Sequence, residues 1–87
     1  MKLVDFHIGG EFVSEGRRWR CTDIGSRVIV AIRVDGTDVV TMQRDGEPLQ
    51  RHIGRAEADR AGWFNGPPYA VAEHVFDEND LEGCEPI

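Results

Sequence analysis

The alternation of apolar and polar positions is clearest between Arg17 and Val34. Val28 to Ile32 is an uninterrupted apolar run of mostly β-branched residues, which favours a strand covered on both faces in its middle. Before this run, Trp19 and Cys21 alternate with arginines, and Asp23 to Ser26 is rich in turn-forming residues. The segment therefore predicts a β-hairpin whose Trp19 and Cys21 side chains point towards the core and whose arginines point towards water.

The flanking segments continue the strand pattern. Leu3 to Ile8 alternates as expected for a first strand, and Asp38 to Arg44 and Glu47 to Ile53 form a further pair. The dipeptides Asp35-Gly36 and Asp45-Gly46 are strong hairpin-turn signals before each member of that pair. A proline near the start of the last strand confines it to an edge. Successive hairpins of this kind predict an antiparallel meander.

Helix signals appear only after this region. Arg55 to Ala61 is rich in helix formers and is followed by Gly62, so it predicts a helix of about two turns. Tyr69 to Phe76 fits either a strand or a helix, and we favour the strand because the meander needs a closing partner. Asp77 to Cys84 predicts either a single helical turn or a cluster of turns, with Leu81 packing back onto the core.

The expected fold class is therefore mostly β with a minor helical part. We expect a small, partly open SH3-like barrel or a curved antiparallel meander of about five to six short strands with one short helix. Residues 1–84 form the single small domain, and residues 85–87 are expected to fray. The predicted core contains Val4, Phe6, Trp19, Cys21, Val28, Val30, Ile32, Val40, Leu49, Trp63, Val71 and Phe76.

Composition narrows the function classes. The 87 residues carry a net charge of −6, and the last part of the chain holds many of the acids, whereas the central hairpin is locally basic. The histidines and the two cysteines are scattered without metal-ligand spacing, and no phosphate-binding loop or activated nucleophile is visible. We expect no enzyme activity, no metal and no cofactor. Cys21 and Cys84 are expected to be free thiols, with a disulfide between them as the alternative.

Two segments are candidate contact sites. The first is the aromatic and proline-rich stretch that contains Trp63, Phe64, Pro67, Pro68 and Tyr69. Aromatics around a Pro-Pro pair suit a groove for a peptide, or a loop that docks into a partner. We favour the simpler interpretation, in which they form a hydrophobic plug that closes one end of a barrel. Both roles can be filled at once if Tyr69 remains exposed.

The second candidate is the arginine-rich face of the central hairpin. Arg18, Arg20, Arg27 and Arg33 would form a basic stripe if they share one exterior face, and such a stripe can bind nucleic-acid phosphate. The net negative charge of the chain opposes this function at long range. We favour the other interpretation, a solvated face or one on which the arginines pair with cross-strand acids or with the acidic end of the chain.

Two strings resemble a known group of sequences. WRCTDIGSR, from Trp19 to Arg27, and GWFNGPPYAVAEHVFDENDLEGC, from Gly62 to Cys84, resemble a family of small proteobacterial proteins without an assigned function. The resemblance covers a little over a third of the chain and implies a bacterial cytosolic protein, but it carries no activity. Thr37 to Arg60 resembles nothing that we can name.

These observations lead to two hypotheses about function. The first is a non-enzymatic protein-interaction module of the bacterial cytoplasm with an unknown protein as partner. Its contact surface would be the Trp63 to Tyr69 loop or an exposed edge of the barrel. The alternative is a small-barrel nucleic-acid-binding protein that uses the arginine-rich face. We expect no membrane association, since no apolar run approaches the length of a membrane span, and a monomer or a weak homodimer.

Overall fold

The computed structural model describes residues 1–42, 46 and 48–87 of the chain. Within these residues it contains seven β-strands and two short α-helices, which confirms the predicted mostly-β class. The strands are β1 (Glu11–Ser14), β2 (Arg17–Ile24), β3 (Ile29–Arg33), β4 (Gly36–Met42), β5 (Pro48–Gly54), β6 (Glu73–Phe76) and β7 (Cys84–Pro86). The helices are α1 (Arg55–Arg60) and α2 (Glu78–Glu82), and a single 3₁₀ turn covers Leu3–Asp5.

Five of these strands form one open antiparallel sheet in the order β6-β3-β2-β1-β7. The other two, β4 and β5, pair with each other in a separate two-stranded sheet. Within the described residues the five-stranded sheet is open and does not close into a barrel. Of the two predicted architectures, the SH3-like barrel is therefore not formed. Its two edges within the described residues are β6 and β7.

The predicted hairpin at the centre of the chain is confirmed as β2 and β3. Trp19 pairs with Arg33 and Ile24 with Ile29, and a register shift follows Cys21. Strand β3 lies in the interior of the sheet between β2 and β6. Its consecutive residues Ala31 and Ile32 are both fully buried, as expected for a strand covered on both faces.

The two faces of β3 contribute to two separate apolar clusters. Because side chains alternate along a strand, Ala31 enters the first cluster and Ile32 enters the second. The first cluster contains Phe6, Phe12, Cys21, Ile29, Ala31, Phe76, Leu81 and Cys84. The second cluster contains Ile32, Val34, Ile53, Ala58 and Phe64. The fold therefore has a core on each side of the sheet, and the second core receives α1 and the segment after it.

The predicted first strand at Leu3 to Ile8 is wrong. The chain forms the 3₁₀ turn instead, closed by a hydrogen bond from the Lys2 amide to the Asp5 carboxylate at 2.8 Å. Val4 is 87% exposed, against the prediction that it lies in the core, and only Phe6 of this segment is buried. The outer edge of β1 is already occupied by β7, so an additional strand would have no neighbour there.

The prediction of a continuous meander is also wrong, because the strands that flank Asp35-Gly36 do not pair with each other. The chain turns here, but β4 leaves the sheet instead of pairing with β3, and β6 takes the place beside β3. Gly36 has φ +120°, and a Cβ atom at this position would lie 2.9 Å from the Ile53 carbonyl oxygen. Only glycine accommodates both the backbone angle and the close approach of β5. The predicted turn at Asp45 lies outside the described residues.

The later elements follow the predictions more closely. The helix α1 ends at Arg60, and Gly62 follows it with a positive φ of 79°. The strand alternative is confirmed for Glu73–Phe76, whereas residues 69–72 form no regular element. Of the two alternatives for Asp77 to Cys84, the structure forms the helical turn, α2, and Leu81 packs into the first cluster.

The end of the chain differs from the expectation of fraying. Cys84–Pro86 forms β7 and pairs with β1, with Ser14 opposite Cys84 and Phe12 opposite Pro86. This pairing covers the edge of the sheet at β1 and brings the buried thiol of Cys84 into the first cluster. Both cysteines are free, and no disulfide joins them.

The predicted core is confirmed in part. Burial is confirmed for Phe6, Cys21, Ile32 and Phe76. Partly buried positions are Trp19, Val28, Val30, Trp63 and Val71. Leu49 joins Val4 among the exposed residues, because β5 pairs with β4 alone in the described sheets. The side chain of Val40 lies outside the described part of the structure.

Candidate protein-contact surface

The aromatic and proline-rich stretch forms a loop that leaves the end of α1. The Trp63 amide donates to the Ala58 carbonyl at 3.0 Å, and the Asn65 amide donates to the Gly62 carbonyl at 3.2 Å. These bonds fix the start of the loop against the helix, so the side chains that follow leave from a defined position.

The side chains of the loop divide between the core and the surface. Phe64 is only 5% exposed and belongs to the second cluster. Trp63 and Tyr69 are partly buried against the same cluster, while Pro67 and Pro68 are exposed. We refer to Trp63, Pro67, Pro68 and Tyr69 as the loop surface. The plug and contact roles envisaged from the sequence thus fall on different residues of one loop.

The ring of Tyr69 lies directly over Gly66. A Cβ atom at Gly66 would approach the ring carbons of Tyr69 to 2.7 Å, well inside a normal van der Waals contact. The absence of a side chain at Gly66 therefore allows the tyrosine ring to fold back across the loop. This contact holds the two ends of the Pro67-Pro68 segment together.

Three arginines converge on one carboxylate beside this loop. Arg18 Nε lies 2.9 Å from Glu11 Oε1, and Arg20 Nη2 lies 3.3 Å from Glu11 Oε2. Arg55, the first residue of α1, contacts both carboxylate oxygens at 3.0 Å. We call Arg18, Arg20 and Arg55 the arginine cluster.

The arginine cluster and the loop are adjacent. The guanidinium carbon of Arg20 lies 5.9 Å from the centroid of the Phe64 ring, within the range of a cation–π contact. The ring that anchors the loop in the second cluster therefore also supports one arginine of the cluster. The arginine cluster therefore lies close to the buried base of the loop from which the loop surface extends.

The electrostatic environment of Glu11 reflects the cluster. Partial burial acts to raise the pKa of the Glu11 carboxyl, but the hydrogen bonds from Arg55 and Arg20 outweigh it and hold the pKa below its ordinary value. Burial also acts to raise the pKa of Asp35, and the side chain of Arg33 together with the Arg18 amide lowers it overall. Both acids therefore stay ionised at neutral pH.

The four arginines predicted to contact anions do not form one stripe. Arg18 and Arg20 lie in the cluster, Arg33 pairs with Asp35, and Arg27 makes a long contact of 3.8 Å with Glu78 at the other end of the hairpin. Each has an acidic partner, as in the internally paired alternative. The geometry therefore does not favour the nucleic-acid hypothesis.

Sequence reasoning missed Glu11 and Arg55 as members of this site. They are separated by 44 residues, and Glu11 stands between the Gly9-Gly10 pair and a short apolar strand without any motif around it. The only signal for Arg55 is its position at the start of a predicted helix, which does not indicate a partner. Long-range pairs of this kind follow from the topology and not from local pattern.

The other potential metal ligands and nucleophiles of the described residues do not form a site. Among residues 1–42, 46 and 48–87, no group of three His, Cys, Asp or Glu side chains is placed to hold a metal ion. Burial raises the pKa of the thiols of Cys21 and Cys84, which keeps both protonated at neutral pH. None of the helices in the described part is long and apolar enough to cross a bilayer.

Comparison with protein-family models, with curated proteins and with solved structures finds no match to this chain. The function must therefore be argued from the site itself.

Proposed function

We propose that this chain is a non-enzymatic protein-interaction module of the bacterial cytoplasm, with the loop surface as its contact surface. The observation that carries the proposal is the division of the loop between Phe64, which is buried, and Pro67 and Pro68, which are exposed. A loop that only filled the core would not need to present two prolines and the outer parts of two aromatic rings to solvent.

The loop is suited to binding because it is already ordered. Association costs free energy when side chains and loops must be immobilised, and a preformed loop reduces that cost. Phe64 fixes the loop to the second cluster, backbone hydrogen bonds fix its start, and the Tyr69 ring packs over Gly66. The prolines add stiffness between these points.

The partly buried aromatics supply the chemistry of the contact. Tyrosine and tryptophan are enriched among the residues that dominate binding energies, because a large ring buries much area and offers a polar group at its edge. Trp63 and Tyr69 each pack one side against the second cluster. Their remaining surface, together with the prolines, suits a partner with apolar side chains in an extended or helical segment.

A peptide selection with matched variants tests the proposal. Peptides are selected from a random-peptide display library on the wild-type chain, and their Kd is then measured for a Pro67→Ser/Pro68→Ser double variant. Val4→Ser is the control, because Val4 is exposed in a different part of the fold. We expect the double variant to bind about tenfold more weakly and the control to bind like wild type. Equal binding by all three proteins would contradict the proposal.

The fold of each variant is checked by its amide spectrum before binding is measured. All three exchanged residues are exposed, so we expect native spectra outside the substituted segments. Sedimentation of the free chain is expected to show a monomer or a weak dimer. A tight dimer whose formation is abolished by the double variant would instead identify a second copy of the chain as the partner.

A further inference from the structure

The arginine cluster holds more positive charge than its internal partner neutralises. Three guanidinium groups face the single carboxylate of Glu11. The nearby Arg33 and Asp35 neutralise each other. Among the ion pairs of the described residues, the cluster therefore has an excess of two positive charges, on a chain whose net charge is −6. A local charge opposite in sign to the whole molecule favours an anionic ligand of small extent.

The cluster also keeps hydrogen-bond donors for a further ligand. Arg18 donates to Glu11 through Nε. In the described part of the chain its two terminal nitrogens make no recorded contact, so they can donate to a further ligand. The side chains of Arg18 and Arg55 are 45% and 39% exposed, whereas that of Glu11 is 20% exposed. Glu11 therefore lies beneath the guanidinium groups, and their outer edges face solvent.

The bound carboxylate shows which chemistry the cluster accepts. Arg55 Nη2 donates a hydrogen bond to Glu11 Oε2 at 3.0 Å, and Arg55 Nη1 lies 3.0 Å from Glu11 Oε1. The guanidinium group therefore faces both carboxylate oxygens, as guanidinium groups do when they bind carboxylates. We infer that the arginine cluster binds a pair of acidic side chains on the same partner segment that occupies the loop surface. This inference rests on the proposed function, because it assigns both contacts to one partner segment. The contact between Arg20 and Phe64 places the cluster beside the base of the loop.

An acidic peptide fits the cluster better than a nucleic acid does. Two carboxylates neutralise the local excess, and a short segment can reach both the cluster and the loop. A polyanion needs a longer basic track, and Arg27, which would have to extend it, pairs instead with Glu78 at the far end of the hairpin. The net negative charge of the chain also repels a long polyanion.

The test uses a short oligo-glutamate peptide and an oligo-glutamine peptide of the same length as probes. Each is titrated into the ¹⁵N-labelled full chain at low salt, and the Nε–H signals of Arg18, Arg20 and Arg55 are followed. We expect these signals to shift with oligo-glutamate only, and the shifts to decrease as salt is added. Absence of shifts, or equal shifts with oligo-glutamine, would overturn the inference.

Two variants with the same change in charge sharpen this test. Arg18→Gln removes the most exposed member of the cluster, and Arg27→Gln removes an arginine that is 78% exposed elsewhere on the hairpin. We expect Arg18→Gln to weaken oligo-glutamate binding about threefold to fivefold and Arg27→Gln to leave it nearly unchanged. Equal effects would show that the peptide responds to overall charge, and would contradict a defined site.

The remaining outcomes separate this inference from the proposed function. If a display-selected peptide requires Pro67 and Pro68 but binds equally well after its acids are replaced by amides, the inference fails and the function stands. If oligo-glutamate binds the cluster but the double proline variant binds selected peptides normally, the function fails. If a single-stranded RNA oligonucleotide binds the same arginines more tightly than oligo-glutamate does, the proposal of an acidic peptide as the ligand is wrong and nucleic acid is the better assignment.

Discussion

The guanidinium group of Arg55 contacts both carboxylate oxygens of Glu11 at 3.0 Å, across 44 residues of chain. Glu11 is the first residue of β1 and Arg55 is the first residue of α1. The contact therefore joins the five-stranded sheet to the helix from which the loop surface departs. It positions the loop against the sheet as well as organising the arginine cluster.

Replacing Arg55 by lysine tests this connection. Arg55→Lys keeps the charge but loses the planar guanidinium group that faces both oxygens of Glu11, so we expect the free energy of unfolding to fall by about 1 kcal/mol. Urea unfolding measures the change. Arg60→Lys, on the exposed side of the same helix, is the matched control and is expected to change stability by less than about 0.5 kcal/mol. Equal losses would show that the pair does not join the elements.

The lowered pKa of Glu11 predicts a specific dependence of stability on pH. Its pKa in the folded chain lies below its unfolded value, so its contribution to stability is present above the ordinary pKa of about 4.3. That contribution is lost as the pH falls through the folded pKa. Glu11→Gln should therefore be less stable than wild type at pH 7 by about 1 to 2 kcal/mol.

The measurement is a series of urea unfolding curves for both proteins between about pH 7 and pH 3. We expect the difference between wild type and Glu11→Gln to shrink as the solution becomes more acidic. A difference that stays constant over this range would mean that the carboxylate charge of Glu11 does not stabilise the fold. Asp35, which also has a lowered pKa, remains in both proteins and does not affect the comparison.

The first cluster depends on ring packing around Phe12. The Phe12 ring meets Phe6 at 5.1 Å and Phe76 at 5.5 Å, both nearly perpendicular. Phe12→Leu removes both contacts and reduces the filled volume, so we expect unfolding to become easier by about 1 to 2 kcal/mol. Val4→Ala, at an exposed apolar position, should change stability by less than about 0.5 kcal/mol in the same urea experiment. A similar loss for both would contradict the described core.

The two buried thiols should react slowly in the native chain. Cys21 and Cys84 lie in the first cluster, and burial raises the pKa of each thiol. At pH 8 we expect a thiol-reactive disulfide reagent to modify the native chain on the order of 100-fold more slowly than the urea-unfolded chain. A Val4→Cys variant provides the control, since its added thiol should react at once. Rapid reaction of two thiols in the wild type would contradict their burial.

The local sequence pattern is sufficient to predict those elements whose structure is determined mainly by the residues within them. The apolar run in β3 predicts burial on both faces, and the helix formers before Gly62 predict α1. The burial of Leu81 against the first cluster follows from its place in the single turn of α2. In each case the sequence pattern and the tertiary environment favour the same local structure.

The local sequence pattern is insufficient to predict which strands pair when two segments can occupy the same place in the sheet. Asp35-Gly36 indicates a turn, but it does not determine that β6 and not β4 will lie beside β3. Likewise, Leu3 to Ile8 alternates like a strand, while β7 occupies the edge that such a strand would need. The Glu11–Arg55 contact could not be predicted for the same reason, because it exists only once α1 is placed against the sheet.

The candidate site shows the same division. The local run of aromatics and prolines indicates the residues of the loop surface, and the structure adds that Phe64 is buried while Pro67 and Pro68 are exposed. The arginines were also singled out from composition, but their distribution among three acidic partners depends on the register of β1, β2 and β3.

The most direct test of the loop surface uses the two tryptophans of the chain as internal probes. Trp63 belongs to the loop surface, whereas Trp19 packs against Phe76 at 4.9 Å in the first cluster. A display-selected peptide is titrated into ¹⁵N-labelled protein, and the two indole N–H signals are followed. We predict that the Trp63 signal shifts and the Trp19 signal does not. A shift of Trp19 with an unmoved Trp63 would contradict the loop surface as the site of contact.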